Sequence, residues 1–188
     1  LKWFNFAELN IQTMKKIHIL TVAIAFASAA FTFNQSTSWK SNENDYTVSF
    51  KGDKVDGAFK GLKSSVVLDD AHPEKSKISA SIDATTVSTG NGMMNKHAQS
   101  SDALDTKKHG SITFESTEVV KKGAGYAATG KLTMKGVSKT ITIPFTFSEK
   151  GQEAQLSGSF SVAPKDYGIT RKGTPKQIEI NLAIKFNN

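Results

Sequence analysis

The strongest constraint on this chain is an alternation of apolar and polar side chains with a period of two. Near the end of the sequence, Ile178, Ile180, Leu182, Ile184 and Phe186 alternate with Glu179, Asn181, Ala183 and Lys185. Successive side chains of an extended strand point to opposite faces, so such a stretch has one dry face and one wet face. The same pattern returns with Tyr46, Val48 and Phe50, with Ile78, Ala80, Ile82 and Ala84, and with Ile141, Ile143, Phe145 and Phe147. Leu156, Gly158, Phe160 and Val162 repeat it against Ser157, Ser159 and Ser161. Weaker runs at 55–59, 64–68, 112–120 and 126–134 bring the total to about eight or nine strands.

Burial on one face is the mark of antiparallel sheets. Turn-forming residues separate the runs: Lys51-Gly52-Asp53, residues 69–73, Lys122-Gly123-Ala124-Gly125, Lys135-Gly136 and Glu149-Lys150-Gly151. Long strands with one apolar face, joined by short turns, close into a barrel or stack as a sandwich. Residues 91–108 break the alternation, and Asn91 or Asn95 is placed to cap a short helix reaching to about Ala103. This segment reads as a helical excursion across one mouth of the barrel.

The length of 188 residues fits one domain large enough to build a core without staples. With no cysteine, the chain has no disulfide framework, no thiolate metal site, no cysteine nucleophile and no cysteine for lipoprotein anchoring. The formal net charge is +7. Residues 1–30 hold three lysines and one glutamate, so the remainder carries 21 basic against 16 acidic side chains. These charges are dispersed along strands and turns, and Arg171 is the one arginine in the sequence. Nucleic-acid binding calls for clustered Arg and Lys interleaved with aromatics, so it is set aside.

Residues 14–30 read as a signal peptide. Met14 opens a basic stretch, Lys15-Lys16, an apolar run extends from Ile17 to about Phe26, and Ala27-Ser28-Ala29 supplies the small residues a signal peptidase requires. His18 and Thr21 interrupt that run, which is too short for a permanent span, so the mature protein is not expected to cross a membrane. Residues 1–13 read as an over-extended gene start, and 31–188 as the mature domain.

Catalytic and metal-binding patterns are missing from the sequence. His72, His97 and His109 show no H-x-H or H-E-x-x-H spacing, and there is no G-x-S-x-G elbow or phosphate-binding loop. A dyad of His97 with Asp102 is the one arrangement with catalytic character, and no nucleophile accompanies it. No catalytic residue, metal ligand or cofactor is therefore assigned. A small closed barrel either fills its interior with side chains or leaves room for one ligand. Ala80, Ala84, Ala128, Gly130 and Gly158 fall on dry faces among Phe and Ile, which leans towards a cavity, although small and large residues also alternate in solid cores.

Four stretches resemble, in order, the YceI-like, polyisoprenoid-binding family. They are SIDATTVSTGN at 81–91, NKHAQSSDALDTKKHGSITFES at 95–116, GKLTMKGVSKTITIPFTF at 130–147 and KDYGI at 165–169. The resemblance covers about 39–188. It implies an all-β, extended antiparallel lipocalin-like barrel of about eight strands with a short helix at one mouth. It further implies a periplasmic or secreted location, a homodimer, and a pore for a long-chain isoprenoid or similar fatty amphiphile.

On that resemblance the dry-face side chains become the tail-lining candidates: Phe50, Phe59, Ile82, Phe114, Leu132 and Met134 from one part of the wall, and Ile143, Phe145, Phe160, Ile180, Leu182 and Ile184 from the other. Met93, Met94, His97 and Leu104 would stand at the mouth. The sequence departs from the family pattern at Glu43-Asn44-Asp45-Tyr46, at His109-Gly110, and at Pro164-Lys165 where the family has an arginine. A phosphate-bearing headgroup would call on Lys135, Lys139, Lys165 or Arg171. Two competing readings remain: a dry-cored structural or interaction barrel without a ligand, and a lipid-modifying enzyme using His97 with Asp102.

Overall fold

The computed structural model describes residues 37–188. The proposed leader at 14–30 and the gene-start segment 1–13 lie outside the described residues.

Nine strand segments and one helix follow each other along the chain. They are β1 (Thr37–Gly52), β2 (Val55–Phe59), β3 (Lys63–Leu68), β4 (Lys77–Asp83), α1 (Gly92–Gln99), β5 (Ser111–Lys122), β6 (Gly125–Met134), β7 (Val137–Lys150), β8 (Glu153–Val162) and β9 (Ile178–Asn187). All pairings are antiparallel, and β3 to β9 lie side by side in chain order. β1 closes the ring by pairing with β9 from Tyr46 to Gly52. Along its other edge, β1 pairs with β3 through Thr37–Lys40 and with β2 through Val48–Gly52. β2 and β3 thus continue one another, and the wall is a closed barrel of eight strands.

Two bulges shape the wall and account for its weaker alternation. On β1 the register with β9 shifts between Ser41 and Tyr46, so the buried set passes from odd-numbered Trp39 to even-numbered Val48 and Phe50. On β5 the register with β6 shifts between Ser116 and Glu118, and burial passes from Phe114 to Val119. An extra residue in a strand of period two moves every later side chain to the other face, so pattern matching loses such strands. Where the β1–β3 ladder lapses, hydroxyls replace it. Ser41 Oγ accepts from the Ser64 amide at 2.9 Å, and Tyr46 Oη accepts from the Leu62 amide at 3.2 Å.

Several expectations are corrected. Ala84 does not extend β4: the strand ends at Asp83, whose carboxylate accepts from the Thr85 amide and starts a 3-10 turn at Ala84–Thr86. Of the two candidate caps, Asn91 caps α1, which ends at Gln99 rather than near Ala103. Gly130 does not make space in the interior. A Cβ there would stand 2.3 Å from the Glu115 carbonyl oxygen and 2.8 Å from Phe114 Cζ, so glycine admits a close approach of β5 at its bulge. Gly158 likewise faces a carbonyl, that of Pro144.

The antiparallel order gathers the β1–β2 turn, the β4–β5 connection bearing α1, the β6–β7 turn and the β8–β9 connection at one end. At the other end, Trp39 packs edge to face on Phe147 and Phe147 packs at a tilt on Phe186, with ring centroids 6.1 and 6.0 Å apart. Trp39 and Phe186 are fully buried, so this aromatic group closes the barrel.

Candidate functional site

The interior between these ends is hollow. A cavity of about 650 Å³ runs down from the open end to Phe186 and takes its lining from every strand of the wall. That volume falls in the range of about 300–1,000 Å³ typical of ligand pockets. Its walls are almost wholly apolar, because each strand turns its dry face inward around the ring.

The structure brings nearly all the proposed tail-lining and mouth residues to this one surface. Phe50, Phe59, Ile82, Phe114, Leu132 and Met134 line it, as do Ile143, Phe145, Phe160, Ile180, Leu182 and Ile184. At the mouth, Met94, His97 and Leu104 line it as well. Met93 does not, and is 69% exposed. Helical residues three and four apart share a face, so α1 presents Met94, His97 and Ala98 to the cavity and turns Met93 away. Of the small residues, Ala80 and Ala128 line the cavity, whereas Ala84, Gly130 and Gly158 do not.

Sequence reasoning missed two kinds of lining residue. Val48, Ile78, Leu156, Val162, Ile178 and Phe186 lie on dry faces that the alternation already marks, and only the residue choice passed them over. Leu62, Val87 and Ile169 come from connections, where no period exists to find them.

The polar groups of the site are concentrated at the mouth. Lys54, Thr89, His97, Arg171, Lys172 and Thr174 ring the entrance. Deeper in the wall, Ser64 faces inward on β3, and its hydroxyl is sealed from solvent without a protein partner.

A clamp spans the mouth. Asp102 lies just beyond α1 and Arg171 on the β8–β9 connection. Arg171 Nη1 donates to both carboxylate oxygens of Asp102, at 3.1 and 3.2 Å. The amides of Thr170 and Arg171 both donate to the Asp102 carbonyl at 3.0 Å. Ser100 Oγ donates to the same carboxylate. This hydroxyl, and then the guanidinium, hold the Asp102 carboxyl below the usual carboxylate range.

The clamp overturns two expectations. Asp102 is committed to Arg171 and Ser100, and no hydrogen bond joins it to His97 among the described residues, so the His97–Asp102 dyad does not form. Of the cations proposed for a headgroup, Arg171 alone lines the cavity; Lys139 and Lys165 do not, and Lys135 instead donates to the Gly168 carbonyl at 2.8 Å. The other lining cations are Lys54 and Lys172, from turn and connection positions that the sequence did not single out. Where the family pattern is lost at His109-Gly110, the His109 ring lies on Gly136, and a Cβ at that glycine would stand 2.7 Å from His109 Cε1.

Among the described residues, no three His, Cys, Asp or Glu side chains gather to hold a metal, and no helix is long and apolar enough to cross a membrane. Geometry and chemistry together define a closed, hollow, lipocalin-like barrel with one polar entrance.

Residues 39–187 match the model of the YceI-like domain, and the chain belongs to the YceI-like family. A UPF0312 protein of Ectopseudomonas mendocina is 36% identical over 137 residues, covering 69% of this chain and 72% of its own length. The fold is that of BcnA from Burkholderia cenocepacia, with a TM-score of 0.73 at 23% identity over 77% of this chain and 98% of that one. A polyisoprenoid binding domain from Saccharophagus degradans, implicated in plant cell wall breakdown, superposes with a TM-score of 0.57 at 11% identity, covering 81% of this chain and 99% of its own.

Proposed function

We propose that this protein is a non-catalytic carrier that holds the hydrocarbon chain of an isoprenoid or similar long amphiphile inside the barrel and leaves its polar end at the mouth. The observation that carries the reading is the apolar cavity of about 650 Å³ reaching from the mouth to Phe186. Burying a methylene contributes about 0.8 kcal/mol, so about ten of them give a gross ~8 kcal/mol before the costs of ordering. That is enough for tight, reversible binding without covalent chemistry. The naming of the Saccharophagus neighbour as a polyisoprenoid-binding domain supports the same ligand class. A hollow interior disfavours the dry-cored module, and the separation of Asp102 from His97 disfavours the lipid-modifying enzyme.

The reading includes export to the periplasm or beyond through the leader at 14–30, and assembly as a homodimer. Mass spectrometry of the mature N-terminus tests the first, with a start at Ala30 or Phe31 expected and a start upstream of Met14 counting against it. Light scattering of the purified protein tests the second. The central test is native mass spectrometry and lipid extraction of protein purified from its own host. A co-purifying long-chain amphiphile is expected. Protein that carries none, and that takes up no cis-parinaric acid, would sink the carrier reading.

A further inference from the structure

Among the described residues three large apolar side chains stand exposed: Met93, Met94 and Val120. Two of them are adjacent, on the first turn of α1 at the rim of the cavity. Met94 is 40% exposed and also lines the cavity, so a single side chain joins the outer surface to the hollow interior. The helix carries no acidic residue, and Lys96 is its one full charge.

The charge of the barrel is uneven from end to end. The mouth segments 51–56, 83–111, 134–137 and 162–178 contain ten Lys and Arg against six Asp. At the closed end, segments 37–45, 68–77, 120–126, 148–154 and 185–188 contain seven basic and seven acidic residues. Of these charges, Asp102 and Arg171 cancel each other as a pair, which leaves nine basic against five acidic side chains at the mouth. Lys96, Lys107, Lys108 and Lys176 remain exposed around the helix and entrance.

We infer that the mouth is a membrane-docking face: Met93 and Met94 insert into a bilayer containing anionic lipid, the surrounding lysines bind its headgroups, and the cavity entrance faces the membrane. The proposal rests on the carrier reading of the cavity. Apolar side chains flanked by lysines bind at the boundary of headgroups and acyl chains, and anionic lipid adds electrostatic attraction. Methionine is flexible enough to stand in water and to enter an apolar phase without a shaped partner. The occupant that fits is a fluid surface, because the apolar element is two flexible, exposed thioethers among cations rather than a flat patch or groove. Transit through water would expose each methylene of the ligand. A mouth seated on the bilayer avoids that exposure, and Met94 lies on the path from one apolar phase to the other.

The absence of cysteine gives a site-resolved test in the full chain. Met93→Cys creates a unique thiol for a nitrobenzoxadiazole label, and Lys122→Cys places the same label at the closed end. With mixed vesicles of phosphatidylcholine and phosphatidylglycerol, emission at 93 is expected to shift to the blue and brighten at least about twofold, with no change at 122. Vesicles of phosphatidylcholine alone, or high salt, should reduce the response. Lys107→Glu combined with Lys108→Glu should weaken vesicle affinity about tenfold or more, while Lys122→Glu with Lys150→Glu leaves it unchanged. Because the label reports from residue 93, attachment through another part of the chain gives no signal. An unresponsive label at 93, equal responses at 93 and 122, or a response that appears only when a protein partner is added would each overturn the proposal. Uptake of cis-parinaric acid from solution, measured on the same samples, reports the carrier reading separately: a protein that takes up the probe yet ignores vesicles loses the docking face and keeps the cavity.

Discussion

At the closed end of the barrel, Trp39, Phe147 and Phe186 fill the space between the strands, and the turns beside them are as short as Gly123-Ala124 and Gly151-Gln152. At the mouth the same strands diverge into two long connections, 84–110 and 163–177, which bury Val87, Leu104, Tyr167 and Ile169 in the core and are tied to each other by Asp102 and Arg171. One end gains stability from aromatic surface withdrawn from water. The other adds an ion pair and a few backbone hydrogen bonds to its buried loop residues, and keeps an entrance open. A closed sheet has no edges left to pair, so the loops decide what its two ends do. This barrel uses one set as a floor and the other as a doorway.

The floor is the place to break that contrast most severely. Phe186 is fully buried against Phe147, and Phe186→Ala removes a ring whose cavity the strand ends cannot collapse to fill. The expected loss is about 3–5 kcal/mol, read by urea denaturation. A loss below 1 kcal/mol would mean that the aromatic group is not a structural floor. Filling the hollow has a smaller effect on stability and a larger one on binding. Ile143 lines the cavity midway, and Ile143→Trp should cost about 1–3 kcal/mol or less, since the added atoms enter free volume. Uptake of cis-parinaric acid should fall by about tenfold or more. Unchanged uptake in a folded variant would favour a barrel that works through its surface.

These contrasts were legible in the sequence to different degrees. β4, β7, β8 and β9 announce themselves because no bulge interrupts their alternation, and the lining residues Ile82, Ile143, Phe145, Leu182 and Ile184 follow directly. β1 and β5 are harder, because an irregular register reverses their parity midway. Within α1, which residues face inward depends on a rotation of about 100° per residue, enough to separate Met93 from Met94. The clamp was out of reach, since Asp102 and Arg171 are 69 residues apart and no local pattern links them. Closeness in sequence pairs Asp102 with His97, yet the fold turns the carboxylate towards another loop.

The closed end also carries a pH signature, at Tyr126. Tyr126 stacks on Phe145 with centroids 5.4 Å apart, and its hydroxyl donates to Asp70, which also accepts from Lys121 at 2.8 Å. Burial first, and the Asp70 carboxylate second, push the Tyr126 hydroxyl up to about 12. An unfolded tyrosine ionises near 10, so between about pH 10 and 12 the folded state binds more protons than the unfolded one, and stability falls as pH rises. The expected fall is on the order of 1–2 kcal/mol, allowing for partial exposure. Denaturation of Tyr126→Phe over the same range should show a flatter profile. Parallel profiles would place the alkaline loss elsewhere.

The least effect on stability is expected at the clamp, and it sharpens the contrast most. Asp102 and Arg171 are both partly exposed, so solvent screens their attraction and the backbone bonds to the Asp102 carbonyl survive a change of side chain. Asp102→Asn should leave the unfolding midpoint within error of the parent. What the variant removes is the charge that holds the β8–β9 connection against the turn after α1 and keeps Arg171 from an incoming anionic group. Release of bound cis-parinaric acid should therefore quicken several-fold, as the entrance opens more often. Affinity for an anionic amphiphile relative to a neutral one of equal length should rise, because Arg171 is freed and one negative charge leaves the mouth. Arg171→Gln should quicken release as well, but shift that preference in the opposite direction. If both variants moved the preference the same way, the pair would be acting only as a tether between loops, and the charge at the doorway would have no part in choosing what enters.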